Sequence, residues 1–236
     1  MTSTAIQSAV TRGLRPGLAA AFGLVLTVAT PATAADEQVL VNDAKITVER
    51  FHADAAQYPD LSKQLARARA VIVFPHIYKA GFIVGGEGGR GVLLARRGSE
   101  WSTPAFYSMA SASVGLQIGA QSAETMLIVF SDDALTRLLS NRVKLGADIG
   151  IAVIGIGAGM EGATTTNMGA DIVAYSRAKG LYGGLSFEGA MVAPDDDANQ
   201  LYYGRKASTL EIVNEGRVSN SAADGLRTSL RGAARS

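Results

Sequence analysis

Phe74-Pro75-His76-Ile77-Tyr78-Lys79-Ala80-Gly81-Phe82-Ile83-Val84-Gly85-Gly86-Glu87-Gly88-Gly89-Arg90-Gly91-Val92 is the stretch on which the fold turns. Apolar and β-branched residues come in runs of strand length, and glycine or proline separates them. Val71–Phe74 reads as a strand ending at Pro75, and Phe82–Val84 as one ending at Gly85-Gly86. The glycines permit tight turns and close approach of one backbone to another. The same texture continues outward through Gly91–Arg96, Val114–Gln121 and Thr125–Phe130. Beyond residue 141 it resumes in Lys144–Gly162, Ala170–Arg177 and Gly180–Val192.

Helical patterns flank these runs. Leu40, Ala44, Val48, Phe51 and Ala55 recur at helical spacing, with Asp36 and Glu37 where negative charge suits a helix start. Pro59 interrupts the pattern, and Asp60 is a fair N-cap for a shorter helix. Its stripe is Leu65, Ala68 and Ile72, and Lys63, Arg67 and Arg69 occupy the polar side. Such a basic amphipathic segment suits an anionic membrane surface or an ordinary solvated helix face. Ser131-Asp132-Asp133 opens a helix running to about Asn141, and a further short helix falls near Ser208–Asn214. Strands in runs with helices at the ends imply an α+β fold, not a doubly wound one. The expected architecture is N-terminal helices on a twisted, mostly antiparallel, Gly-rich sheet tending toward a barrel.

The N-terminus reads as an export signal. Arg12 and Arg15 precede the apolar run Leu18–Thr30, and Ala32-Thr33-Ala34 is a small-residue cleavage site. That run, about 13 residues, is shorter than the roughly 20 that span a bilayer. The expected organisation is a signal peptide over 1–34, one domain over 35–215 and a disordered basic tail over 216–236. The expected location is the periplasm or the exterior. The chain carries 22 basic and 21 acidic side chains, formally +1; without Arg12 and Arg15 the balance is 20 against 21, or −1. No basic stripe marks a nucleic-acid binder. With no cysteine there is no disulfide framework and no thiolate chemistry.

The catalytic inventory is thin. Gly86, Gly88, Gly91 and Gly157, Gly159, Gly162 match a dinucleotide fingerprint by spacing, but neither set opens a convincing helix. His52 and His76 have no second histidine at ligand spacing, and His76 reads as capping a turn. Asp195-Asp196-Asp197 lacks the grammar of a calcium loop and reads as an acidic surface turn. No cofactor is implied. Glu161, Glu188 and the Asp195 cluster are the only material for a paired-carboxylate hydrolase acting on envelope polymers. A self-associating structural envelope protein, a homo-oligomer, is a third reading.

The opening stretch, followed by Trp101-Ser102-Thr103-Pro104-Ala105-Phe106-Tyr107, resembles the SYLF-domain family. Gly115-Leu116-Gln117-Ile118-Gly119, Leu145-Gly146-Ala147-Asp148, Ala174-Tyr175-Ser176-Arg177-Ala178-Lys179-Gly180-Leu181-Tyr182-Gly183-Gly184 and Asn199-Gln200-Leu201-Tyr202-Tyr203-Gly204 follow in family order, covering about residues 36–214. One departure is Ile154-Gly155, where members often carry Gly-Pro. The resemblance implies a lipid-binding, non-enzymatic module; fungal members are also labelled actin-binding, which does not suit an exported chain. The partner it implies is an anionic phospholipid surface, with Lys79 and Arg90 as matching basic positions for headgroup contact. Lys63, Arg67 and Arg69 complete the candidate lipid-binding set.

Overall fold

The computed structural model describes residues 33–81, 84–114, 119–156, 169–179 and 187–235. The expected export signal before Thr33, the glycines at 157, 159 and 162, Glu161, and the motif pieces at 115–118 and 180–184 lie outside the described residues.

Among the described residues, five α-helices and nine strands run in the order α1 (Ala34–Ala53), α2 (Leu61–Arg67), β1 (Ala70–Gly81), β2 (Val84–Arg97), β3 (Glu100–Trp101), β4 (Ala105–Val114), β5 (Gly119–Val129), α3 (Asp132–Ser140), β6 (Val143–Lys144), β7 (Ile151–Ile156), β8 (Ile172–Lys179), β9 (Met191–Pro194), α4 (Asp196–Tyr203) and α5 (Asp224–Ala233). The sheet order is β6-β9-β4-β2-β1-β5-β8-β7, with β3 paired to β2. Every pairing is antiparallel except β7 with β8. The sheet curls strongly into a half-barrel, so the expected α+β class with helices on a curled sheet holds.

β1 is the hub because alternate side chains enter two different cores. Val71 and Val73 join Val92 and Leu94 beneath α1, α2, α4 and α5. Ala70, Ile72, Phe74 and Ile77 join Leu93, Met109, Leu127 and Phe187 on the opposite face. A strand covered on both faces reads as an almost continuous apolar run, as Ala70–Phe74 does. β1 does not stop at Pro75. Its register shifts against β2 between Val73 and His76 and against β5 between Phe74 and Ile77, and the bulge accommodates a proline that donates no ladder hydrogen bond.

The glycine run also belongs to a strand. Gly85–Gly91 lies within β2, paired to β1 on one side and β4 on the other. A Cβ on Gly91 would overlap the Val73 carbonyl oxygen and sit 2.6 Å from Phe74 Cδ1, and one on Gly89 would overlap the His76 carbonyl oxygen. These glycines let β2 close on β1 at its bulge. The run read as one strand from Val114 to Gln121 instead belongs to the end of β4 and the start of β5.

On α1, the buried positions are Glu37, Val41, Ala44, Thr47, Val48 and Phe51. The stripe therefore passes through Val41, not Leu40, and Ala55 lies beyond the helix. α2 buries Leu61 and Leu65, then ends; Ile72 of the expected stripe belongs to β1. Ser131 caps α3 as expected, accepting from the Ala134 N–H at 3.0 Å. The family-like residues near 100 and 200 tie elements together. Ser102 Oγ accepts from the Ala95 N–H at 3.0 Å, and buried Asn199 Oδ1 accepts from the Phe106 N–H at 2.9 Å.

The expected disordered tail is corrected. Ala223, Leu226, Leu230 and Ala233 are buried against the α1 side of the sheet. Of its arginines, Arg217 pairs with Glu211 and Glu215, Arg227 with Asp224, and Arg231 with Glu100. Spacings of four and three place the two leucines and Ala233 on one helical face, a pattern that the serine, alanine and glycine around them obscure.

Gly91→Ala is expected to lower the unfolding free energy by about 2–3 kcal/mol, because a backbone carbonyl occupies the added methyl's position. Gly88→Ala meets only the Met109 carbonyl at 3.5 Å, an ordinary contact, and is expected to cost less than about 1 kcal/mol. Urea denaturation of the two variants checks the contrast.

Candidate functional site

The five predicted basic residues do not converge. Lys63 and Arg67 lie on α2 and Arg69 immediately precedes β1, whereas Lys79 lies near the far end of β1. At about 3.3 Å per residue, Arg69 and Lys79 are roughly 30 Å apart along the strand. Arg90 projects from β2 on the α1 side, where the register places it beside His76.

Arg90 is a structural latch. Its Nη2 donates to both oxygens of Glu37 at 2.6 and 2.7 Å, and its Nε lies 3.5 Å from Asp195 Oδ2. Glu37 is wholly buried, so this arginine compensates a carboxylate withdrawn from water. Burial by itself lowers the pKa of Arg90, but the hydrogen bond and charge of Glu37, then Asp195, outweigh it and raise the value. The expected role of Arg90 is headgroup contact; in the structure its guanidinium ties β2 to α1 and α4. Asp195 also accepts from the Ala198 N–H at 3.0 Å as the N-cap of α4, so the acidic turn is a helix start.

Lys79 is committed in a comparable way, on the sheet face opposite α1. Its Nζ lies 2.8 Å from Glu87 Oε1, across the β1–β2 pair. The Glu87 side chain is 1% exposed, and its Oε2 has no hydrogen-bond partner among the described residues. A third buried acid, Glu124 on β5, meets Arg50 from α1 and Arg177 from β8, and Arg177 also reaches Asp54 at 3.3 Å. His76 faces Asp43 of α1 at 3.5 Å and stacks on Tyr78, so it bridges helix and strand rather than capping a turn.

The α2–β1 junction differs in kind. The Lys63 side chain is 81% exposed and its Nζ lies 3.7 Å from Asp60, itself 64% exposed. Arg69 is 3.2 Å from Asp132, which is 73% exposed. Arg67 is exposed and has no carboxylate partner among the described residues. Such solvent-screened pairs contribute little and exchange readily. The junction itself is stiff: Arg96 donates to the Leu65 and Ala68 carbonyls at 2.7 and 3.1 Å while stacking on the buried Trp101 ring. The three cations are thus exposed on a backbone that Arg96 anchors. Among the described residues no cluster of histidine and acidic side chains is arranged to hold a metal ion. None of their helices is long and apolar enough to cross a membrane.

The described residues thus form a helix-backed half-barrel whose buried acids are matched by cations from other elements, with the basic α2–β1 junction outside. Residues 110–233 match the Ysc84 family, described as "Las17-binding protein actin regulator", and the chain belongs to that family. LAS seventeen-binding protein 3 of Saccharomyces cerevisiae is 32% identical over 172 residues, covering 71% of this chain and 36% of the relative. Protein YSC84 of the same yeast is 31% identical over 172 residues, with the same coverages of 71% and 36%. The human SH3 domain-containing YSC84-like protein 1 is 26% identical over 151 residues, 63% of this chain and 44% of the relative. The chain thus spans less than half the length of these relatives. The first of these names describes a binding protein and the family description a binding protein and regulator; none of the three names denotes an enzyme.

Arg90→Ala is expected to lower stability by about 3 kcal/mol, since it strands the buried Glu37 carboxylate. Lys63→Ala is expected to stay within about 0.5 kcal/mol of the parent. Equal midpoints and slopes in urea for Arg90→Ala and the parent would contradict the latch.

Proposed function

We propose that this domain binds anionic phospholipid at a membrane surface, without catalysis, through Lys63, Arg67 and Arg69. The observation that carries the reading is the sorting of the cations. Arg90 and Lys79 are held by carboxylates with 0% and 1% side-chain exposure, whereas the α2–β1 junction presents three cations to solvent. Each basic side chain near an anionic surface contributes about 1 kcal/mol. Three give roughly 3 kcal/mol, reduced by the nearby Asp60 and Asp132, so attachment is weak and salt-sensitive.

The membrane in question is that of the cell envelope, reached by export. Thr33 caps α1 with a reciprocal box: its N–H donates to Asp36 Oδ2 at 2.8 Å and its hydroxyl accepts from the Asp36 N–H at 3.4 Å. Cleavage after Ala34 removes this cap, a loss of about 1 kcal/mol, while the Glu37–Arg90 latch stays. The actin connection in the yeast relatives' family description is not extended to this chain, since a periplasmic or secreted domain does not meet a cytoplasmic filament. N-terminal sequencing of the fractionated protein checks the location; intact Met1 in the cytosol contradicts it.

Vesicle co-sedimentation tests the binding. Phosphatidylglycerol- or cardiolipin-rich vesicles are expected to retain the full chain better than phosphatidylcholine vesicles, with the difference fading as salt rises. Reversing Lys63, Arg67 and Arg69 together to Glu is expected to weaken retention at least tenfold, by the roughly 3 kcal/mol above. Reversing Arg137 and Arg142 on and beside α3 is the control and is expected to do less. Retention that is equal on neutral and anionic vesicles contradicts the reading.

A further inference from the structure

A second feature of the molecule has the form of a ligand site. Between the β2–β3 turn, the segment after the π-helical turn Glu211–Glu215, and the start of α5 lies a cavity of about 410 Å³. Arg97, Glu100, Trp101, Gly216, Ser219 and Arg227 are among its walls. Its volume is within the range of small-molecule sites.

The charges around this cavity are unevenly matched. Glu100 is paired with Arg231 at 3.2 Å. Arg227 is oriented by two bonds, Nε to the Trp101 carbonyl at 2.9 Å and Nη1 to Asp224 at 2.9 Å, which leave its Nη2 uncommitted among the described residues. Arg97 has neither a carboxylate nor a hydrogen-bond partner among the described residues. Of the charged side chains lining the cavity, Glu100 and Arg227 each have an ion-pair partner, which leaves Arg97 as the lining cation without a carboxylate among the described residues.

Gly216 fixes where that charge sits. Its φ of 64° is left-handed, which glycine adopts at no steric cost. A Cβ there would overlap Arg97 Nη1 and lie 3.2 Å from Arg97 Cζ. The guanidinium of Arg97 thus rests against bare backbone at the wall of the cavity, and a side chain at residue 216 would displace it. Arginine presents a planar fork of donors that matches a phosphate's oxygens in pairs.

We propose that this cavity binds a phosphate group, with Arg97 as the principal contact and the free Nη2 of Arg227 and the Ser219 hydroxyl as supporting donors. The phosphate belongs either to a free small molecule or to a lipid headgroup. The second source fits the location, because the Arg96 N–H donates to the Arg69 carbonyl at 2.8 Å, so Arg97 emerges at the same end of the sheet as the α2–β1 junction. The pocket itself does not depend on the membrane reading.

Titration of the full chain with inorganic phosphate and with glycerol phosphate, followed by calorimetry and by NMR shifts, tests the site. Saturable binding is expected, weakened at least tenfold in Arg97→Gln and unchanged in Arg142→Gln. Gly216→Val is expected to weaken binding similarly while Arg97 itself remains, and thermal melting of each variant verifies that it is folded. Absence of saturation in the parent, or unchanged affinity in folded Arg97→Gln, overturns the proposal. The source follows from phosphatidylglycerol vesicles. Loss of vesicle retention in Arg97→Gln along with loss of phosphate binding assigns the pocket to a headgroup; loss of phosphate binding alone assigns it to a soluble ligand. The triple reversal at Lys63, Arg67 and Arg69 is expected to leave the phosphate titration unchanged, so failure of the membrane reading and failure of the pocket are separable.

Discussion

The structure depends on β1 being buried on both faces and paired on both edges. Its side chains divide between a core beneath the helices and a core on the opposite face, and each neighbouring strand inherits that division. The bulge at Pro75 and the glycines of β2 are two parts of one solution. Proline removes a ladder donor and shifts the register, and bare glycines across from it let the next backbone close the gap. The stretch that looks loosest in composition is therefore among the most constrained in the sheet.

Charge is handled by a parallel rule. Among the described residues three acids are buried along the sheet and α1, and each is met by a cation from a different element: Glu37 by Arg90, Glu87 by Lys79, Glu124 by Arg50 and Arg177. Pairs of this kind contribute little net stability relative to an apolar core, yet breaking one is costly. They therefore act chiefly as registration marks, fixing α1 on β2 and β1 on β2. Cations engaged in this way already have a buried carboxylate partner, so a basic residue's place in a family motif says little about whether it contacts a ligand.

The sequence carries the fold class and most elements plainly. The apolar runs Val71–Phe74 and Thr125–Phe130, the Ser131 cap of α3, and motif positions such as Ser102 and Asn199 correspond to observed features. What it conceals is instructive. The stripe of α1 was displaced from Val41 to Leu40 because both residues are apolar neighbours and periodicity cannot choose between them. α5 was hidden by a Ser-, Ala- and Arg-rich composition, although Leu226, Leu230 and Ala233 have helical spacing. Lys63, Arg67 and Arg69 were legible as a basic group because they are close in sequence. Arg90 was not separable from them, because its partner Glu37 is distant in sequence and no local pattern announces the pair. The Arg97 cavity was invisible for the same reason, its walls coming from residues far apart in the chain.

The internally paired cations are spread along β1 from its bulge to Lys79, whereas the cations proposed for external contact lie at its α2 end. The account places membrane contact at the α2 end and leaves the Lys79–Glu87 end to the fold. Hydrogen exchange of the full chain with and without phosphatidylglycerol vesicles tests this most directly. The account predicts added protection at amides 61–69, with those of Lys79 and of Glu87–Gly91 unchanged. Added protection at Lys79 and Glu87–Gly91, with none at 61–69, would contradict it.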